Sequence, residues 1–173
     1  MKTVSFFGHG EIFYKEKVKD RLEKTIEELK GQGYNDFLIG CHGDFDGLAL
    51  SSCLKYRKEV DKDVKIHIVL TSLSFINKDK EGNSFVDFYM EKDCELVFYE
   101  IERVYYKNRI TFSNKKMVDN SDLIICYVDM SKYKSGAKSA IKYALKQNKE
   151  IINLFNEEDR CVDLSAFYQH FNE

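Results

Sequence analysis

The chain has 173 residues, a formal net charge of −2 at pH 7, 43% hydrophobic residues and 32% charged residues. This length and this balance are typical of a globular protein, and a single domain is predicted to span residues 1–173. Because basic residues are not in excess, nucleic acid is not expected as a partner. A membrane span is not expected either, because every apolar run is far shorter than the ~20 residues it needs.

Short apolar runs alternate with amphipathic stretches along the whole chain. In chain order, the predicted elements are a strand (4–7), a helix (18–29), a strand (37–39), a helix (48–54), a strand (64–70), a short helix (85–90), a strand (96–99), a helix (108–120), a strand (123–128), a helix (137–145), a strand (151–154) and a closing helix (164–171).

Two of these strands carry information about their place in a sheet. The strand over 64–70 alternates apolar residues with Lys65 and His67. Such alternation is typical of a strand with one wetter face, so it is predicted to lie near an edge. The run over 123–128 is wholly apolar and predicts a central strand that is covered on both faces.

Strands that alternate with helices imply right-handed crossovers and a parallel sheet. The predicted fold is therefore α/β, a three-layer α/β/α Rossmann-like domain with a mainly parallel sheet of about six strands. Ligands of such open sheets bind at the edge formed by the carboxyl ends of the strands.

Small and polar residues follow the predicted strands at that edge. They are predicted to line a ligand site and comprise Gly8, His9 and Gly10 after the first strand, Gly40, His42, Gly43 and Asp44 after the second, Thr71 after the third and Asp129 after the fifth. Glycines allow the backbone to approach a ligand closely, and a plain strand-to-helix turn is the alternative reading of Gly8 and Gly10. Asp44 or Asp46 is expected to accept ribose hydroxyls, or one of them caps the next helix.

A second kind of site is predicted where the alanine-rich helix begins. Ser135 stands at the N-cap position and Gly136 follows it, with Lys138 one turn into the helix. Free backbone N–H groups and the helix dipole favour an anion there, so this end is predicted to hold a phosphate. The alternative is an ordinary capped helix with solvated lysines.

Three carboxylates are candidate catalytic groups, namely Asp46, Glu11 and Glu102. They are the acidic side chains expected near the carboxyl edge that suit acid–base work. His9 and His42 have no Cys or carboxylate at convincing ligand spacing, so no metal site is predicted, and no cofactor is expected. The odd number of separated cysteines suits a reducing compartment, and a cytoplasmic location is predicted.

Three ordered segments resemble a bacterial branch of the SLOG superfamily, the Rossmann-like fold shared by LOG phosphoribohydrolases and the DNA-processing protein DprA. Residues 6–9 resemble its F-T-G-H-R opening, and residues 40–49 resemble its G-G-A-x-G-F-D-x-x-A segment. Residues 117–125 resemble its M-V-D-N-S-D-x-L-I stretch, and residues 135–144 resemble its G-G-T-x-x-x-x-x-Y-A helix.

The resemblance implies a nucleotide or nucleoside-derived ligand at the glycine loops, bound by a sensor rather than an enzyme in some members. LOG enzymes use an Arg and a Glu that align here with Ser113 and with Ser139 or Ala140, although Arg109 lies near the first of these positions. Arg109 is therefore added to the predicted ligand-binding residues, and LOG-type catalysis is not expected.

Three hypotheses follow. The first is a binding protein for a nucleotide-like small molecule. The second is a hydrolase or transferase acting on an N-glycosidic bond, with Asp46, Glu11 or Glu102 stabilising the developing positive charge; a strand-end carboxylate with a raised pKa would favour it. The third is a homo-oligomeric interaction module with a vestigial pocket.

Overall fold

The computed structural model describes residues 1–82, 84–131 and 134–160. Its strands form one parallel sheet and are β1 (Lys2–Gly8), β2 (Tyr34–Ile39), β3 (Lys65–Val69), β4 (Glu95–Val97), β5 (Leu123–Tyr127) and β6 (Glu150–Asn153). The α-helices of the described part are α1 (Lys15–Glu27), α2 (Asp44–Glu59), α3 (Phe85–Met90), α4 (Arg109–Asp119) and α5 (Gly136–Lys146). The predicted α/β Rossmann-like fold is confirmed. The predicted closing helix over 164–171 lies outside the described residues.

The strands are ordered β4-β3-β2-β1-β5-β6 across the sheet. The chain builds outward from β1 to β4 and then returns to place β5 on the other side of β1. The direction of winding therefore reverses between β1 and β5. In open α/β sheets, such a reversal leaves a crevice beyond the carboxyl ends of the two strands.

Two apolar cores cover the two faces of the sheet. Helices α1 and α2 pack together on one face, where Phe6 and Phe37 are buried, and α4 and α5 pack together on the other, where Phe7 and Ile124 are buried. All five residues of β5 are buried, which confirms the prediction of a strand covered on both faces. Strand β3 lies second from the edge, with the short β4 outside it.

The turn between α4 and β5 is tied to β1 by its polar side chains. The Ser121 hydroxyl donates to the Met117 carbonyl (2.6 Å) and contacts the Ser5 hydroxyl. The Asp122 carboxylate accepts the Thr3 N–H (2.8 Å), and the Asp122 N–H donates to the Thr3 carbonyl (2.9 Å). These bonds hold the end of α4 against β1 and bring Met117 beneath the crevice.

The connection from β3 to β4 contains a 3₁₀ helix over Leu73–Ile76 and the predicted short helix, α3. Ser84 and Asp87 form a reciprocal capping box that fixes the start of α3. The fourth strand is predicted over 96–99, whereas β4 covers Glu95–Val97 and is one residue shorter. The chain turns away soon afterwards, at Glu100, which has a left-handed backbone (φ 46°).

Candidate functional site

A crevice of about 180 Å³ lies at the reversal point, beyond the carboxyl end of β1. The loops after β1 and β2, the face of α4 and the start of α5 form its walls. Of the residues predicted from the sequence, it is lined by Gly8, His9, Gly10, Gly40, His42, Gly43, Asp46, Ser135 and Gly136. The carboxyl-edge rule therefore brings most of the predicted positions together.

Two of the glycines are needed for close packing between loops. A Cβ on Gly8 would lie 2.2 Å from Cγ of Phe45, and a Cβ on Gly43 would lie 2.7 Å from Cα of Gly10. The Asp44 N–H also donates to the Gly10 carbonyl (2.9 Å), which joins the two loops. Gly8 and Gly43 are thus explained by contacts within the protein. By contrast, a Cβ on Gly10 would have no neighbour within 4 Å in the part of the chain that the structure describes.

Asp46 closes the loop after β2 and lines the crevice. It is the third residue of α2, and its carboxylate accepts the backbone N–H of His42 (2.8 Å) and that of Gly43. Burial raises the pKa of Asp46, and the two backbone hydrogen bonds oppose that rise. The prediction that Asp44 or Asp46 caps α2 is wrong, because the N-cap is Gly43 and no side chain bonds there as a cap; Asp46 bonds the loop before the helix instead and also lines the crevice.

His42 is held by a residue from the next strand end. Its Nε2 lies 2.6 Å from the Thr71 hydroxyl, and its ring lies 6.0 Å from that of Phe75. Thr71 is buried and does not line the crevice. The predicted residue Thr71 therefore positions His42 rather than facing the open volume.

His9 links the loops after β1 and β5. The Asp129 N–H donates to His9 Nε2 (2.8 Å), and the His9 N–H donates to the Tyr127 carbonyl (3.2 Å). An accepting Nε2 carries no proton, so this bond selects the neutral ring with its hydrogen on Nδ1. The buried His9 side chain forms part of the crevice wall in that state.

The start of α5 forms the opposite wall. The Ser135 hydroxyl accepts the Lys138 N–H (3.0 Å), so Ser135 is the predicted N-cap, and Gly136 and Ala137 line the crevice. No acidic residue lies in the first turn of α5, whereas the first turn of α2 holds Asp44 and Asp46. The two helix starts therefore differ in charge: that of α5 remains electropositive and that of α2 does not.

A neighbouring pocket of about 330 Å³ shares His9 with the crevice. Glu11 and Asp129 lie in its wall, with Arg160 beside them. Arg160 donates to both oxygens of Asp129, from Nε (3.0 Å) and from a terminal nitrogen (2.8 Å). Asp129 is thus engaged in an ion pair and lines this pocket instead of the crevice.

The remaining predicted residues lie outside the crevice lining. Asp44 accepts the Ile12 N–H (3.0 Å) and pairs with Lys15 (2.9 Å). Arg109 donates to the Val104 carbonyl (3.2 Å), and Glu102 is exposed on a 3₁₀ helix over Ile101–Arg103. Lys138 contributes its backbone N–H to the cap of α5, and its side chain is not part of the crevice wall.

Sequence reasoning missed the face of α4 that lines the crevice. Ile110, Asn114 and Met117 lie one turn apart along this helix and contribute to the wall. Their spacing of three and four residues was a usable signal, because it places a polar Asn on the same face as two apolar side chains. Arg160 follows no strand directly, and no motif pointed to it.

We expect Arg160→Gln to lower the free energy of unfolding at neutral pH and to matter less in acid. The hydrogen-bonded Arg160 guanidinium holds the pKa of Asp129 well below its usual range, against the opposing effect of burial. A depressed folded pKa stabilises the protein above the unfolded value of ~3.9, and the stabilisation is lost as the pH falls through the folded pKa. Urea unfolding at about pH 7 and about pH 2.5 would measure the difference on the two sides of that ~3.9 value.

The matched control is Arg103→Gln, because Arg103 forms an ion pair with Glu100 in which both side chains are mostly exposed. Such a surface pair contributes little, so this variant should unfold like the wild type at both pH values. An Arg160→Gln effect that is equal at the two pH values would contradict the role given to the Asp129–Arg160 pair.

Comparison of the sequence with protein-family models and with curated proteins finds no match. Among the described residues, no helix has both the length and the apolar character that crossing a bilayer requires. Nor does this part of the chain bring together three or more His, Cys, Asp or Glu side chains in a way that could hold a metal ion.

Proposed function

We propose that this protein binds a nucleotide or nucleoside-derived small molecule in the crevice between β1 and β5. The observation that carries the proposal is the unlike character of the two walls. One wall presents the Asp46 carboxylate, and the facing wall presents the electropositive start of α5 at Ser135 and Gly136. A ligand that fits both walls has hydroxyl or N–H donors at one end and an anion at the other.

A ribose phosphate has this polarity. In α/β folds, ribose hydroxyls are commonly bound by a carboxylate at a strand end and phosphates by helix N-termini. The space beside Gly136 is open to a ligand, since a Cβ there would meet no described atom within 4 Å. The SLOG-like segments support the same proposal, since Gly43, Asp46 and Met117 belong to them and also line the crevice.

A thermal-shift panel of mononucleotides, ADP-ribose derivatives and dinucleotides tests the proposal. A ligand that binds only the folded state stabilises it by RT ln(1 + [L]/Kd), about 2.7 kcal/mol at 100 Kd. We expect at least one nucleotide to raise the melting temperature, and the corresponding nucleoside without phosphate to raise it less. If no compound moves the transition at millimolar concentration, the proposal fails.

One observation favours the enzyme hypothesis as a second candidate. Asp46 is a carboxyl group in the crevice whose pKa is raised by burial, as is common for groups that do acid–base work at active sites. Its carboxylate also accepts two backbone N–H groups, and these two hydrogen bonds are equally explained by a purely structural role.

We expect no release of base from adenosine monophosphate above background, because the positions that align with the LOG Arg and Glu carry no such groups here. Chromatography after long incubation would measure free base. Asp46→Asn is the decisive variant, since its amide oxygen can still accept the His42 N–H while the charge is lost. If the wild type releases base and Asp46→Asn does not, the binding-protein proposal fails and the protein is a hydrolase.

A further inference from the structure

A second cleft, of about 140 Å³, adjoins the crevice on the far side of the loop after β2. Gly40, Gly43 and Asp46 belong to the walls of both spaces. We call the cleft the apolar subsite; its other lining residues are Cys41, Gly47, Leu50, Phe85 and Tyr89. Its volume is roughly ten times what one water needs, so it is larger than a packing defect.

One position in the wall of the subsite, Gly47, has no side chain. Gly47 lies inside α2, and a Cβ there would meet no atom of the described residues within 4 Å. A glycine in a helix destabilises it by about 1 kcal/mol relative to alanine. A larger side chain at this position would extend into the open space and fill it.

Two aromatic side chains, Phe85 and Tyr89, line the subsite, and they end a row of rings that begins at the crevice. The His42 ring contacts Phe75 (6.0 Å), Phe75 contacts Phe85 (4.8 Å), and Phe85 contacts Tyr89 (5.1 Å). Within the described part of the chain, Phe85 is still 41% exposed. Aromatic walls of this kind bind flat rings by stacking or by edge-to-face contact.

Two polar groups stand among these apolar walls. Asp46 is an acceptor, and Tyr89 has a phenol whose pKa is raised by burial and by the nearby Cys41 and Asp46, so it remains a protonated donor at neutral pH. Burial and the neighbouring Asp46 raise the pKa of Cys41 to about 12, so its thiol is neutral. A flat heterocycle with N–H groups and acceptor atoms on its edge matches this pair, because it can donate to Asp46 and accept from the Tyr89 phenol.

We propose that the apolar subsite binds the planar nitrogenous base of a ligand whose anionic end lies at Ser135 and Gly136, with the sugar passing Asp46 between them. The inference rests on the proposed function for the position of the anion. It adds the orientation of the ligand and names Gly47, Phe85 and Tyr89 as the residues that contact its base. Recognition of the base then comes from the connection between β3 and β4, not from the glycine loop after β1.

Ligand-observed NMR with three probes tests the proposal: adenine, ribose 5-phosphate and adenosine monophosphate. Gly47→Leu fills the subsite with a helix-favouring side chain. We expect this variant to lose adenine binding and to bind adenosine monophosphate about tenfold more weakly, a loss typical of one stacked base, while ribose 5-phosphate binds as it does to the wild type. The control is Ser51→Leu, because Ser51 is exposed one turn later on the same helix and does not line the subsite.

Phe85→Ala gives a second variant that does not depend on tolerance of a leucine inside α2. It removes a partly exposed ring, so the fold should persist, and it should weaken adenine without changing ribose 5-phosphate. Adenine that fails to bind the wild type at millimolar concentration, or that binds both variants as tightly as the wild type, overturns the subsite. If adenine binding depends on Gly47 but neither phosphate compound binds, the subsite stands and the proposed nucleotide function fails.

Discussion

Gly8→Ala is expected to destabilise the protein severely, by about 3 kcal/mol in the free energy of unfolding, at the upper end for overpacked cores. The added Cβ would lie 2.2 Å from Cγ and 2.3 Å from Cβ of Phe45, which is fully buried. A Cβ moves only with its backbone, so no rotation of the Phe45 ring relieves the clash. Helix α2 has to shift away from β1, and urea unfolding would measure the cost.

Gly10→Ala is the matched control, because a Cβ there meets nothing within 4 Å. It should change stability by no more than about 0.5 kcal/mol, as at an ordinary surface site. Phe45→Ala does not rescue Gly8→Ala, since it removes the ring but leaves the Cβ in place. A Gly8→Ala protein as stable as Gly10→Ala would mean that β1 and α2 are not packed as described.

Gly136→Asp is expected to remove the binding of phosphate compounds while the fold persists. The new carboxylate would stand at the first position of α5, where it stabilises the helix but repels an anion at the same N–H groups. Repulsion between unit charges about 4 Å apart amounts to about 1 kcal/mol in water and about 4 kcal/mol near a protein surface, or roughly five- to nearly a thousandfold in affinity. Titration calorimetry with ribose 5-phosphate and adenosine monophosphate would measure the loss.

Gly136→Ala separates charge from bulk in this experiment. The position is open, so a methyl group should leave affinity nearly unchanged and should stabilise α5 slightly. Equal losses in Gly136→Ala and Gly136→Asp would indicate a steric effect. Unchanged affinity in Gly136→Asp would mean that the anion binds elsewhere.

The fold could be predicted because its signals are local. The wholly apolar β5 and the regular apolar spacing in α5 each identify one element without reference to the rest of the chain. The order of the strands could not be predicted, because nothing local in β5 says that it pairs with β1 and not with β4. That order determines which two loops face each other across the crevice.

The same limit applies to the site. Strand ends predicted Gly10, His42 and Ser135, since every parallel strand delivers its following loop to one edge. The different roles of Asp44 and Asp46 depend on α2 beginning at residue 44, which puts Asp46 at the third helical position, turned back toward the loop. A helix that began two residues earlier would put Asp44 at the third position instead, and sequence patterns do not fix helix ends so closely.

Chemical-shift mapping of backbone amides is the most direct test of the central claim, that a nucleotide-like ligand binds between β1 and β5. We expect adenosine monophosphate to shift the amide signals of Gly10, Gly43 and Gly136. The amides of Gly31 and Gly33 should not move, because these residues precede β2 at the opposite edge of the sheet. Shifts confined to residues outside the crevice, or none at millimolar nucleotide, would contradict it.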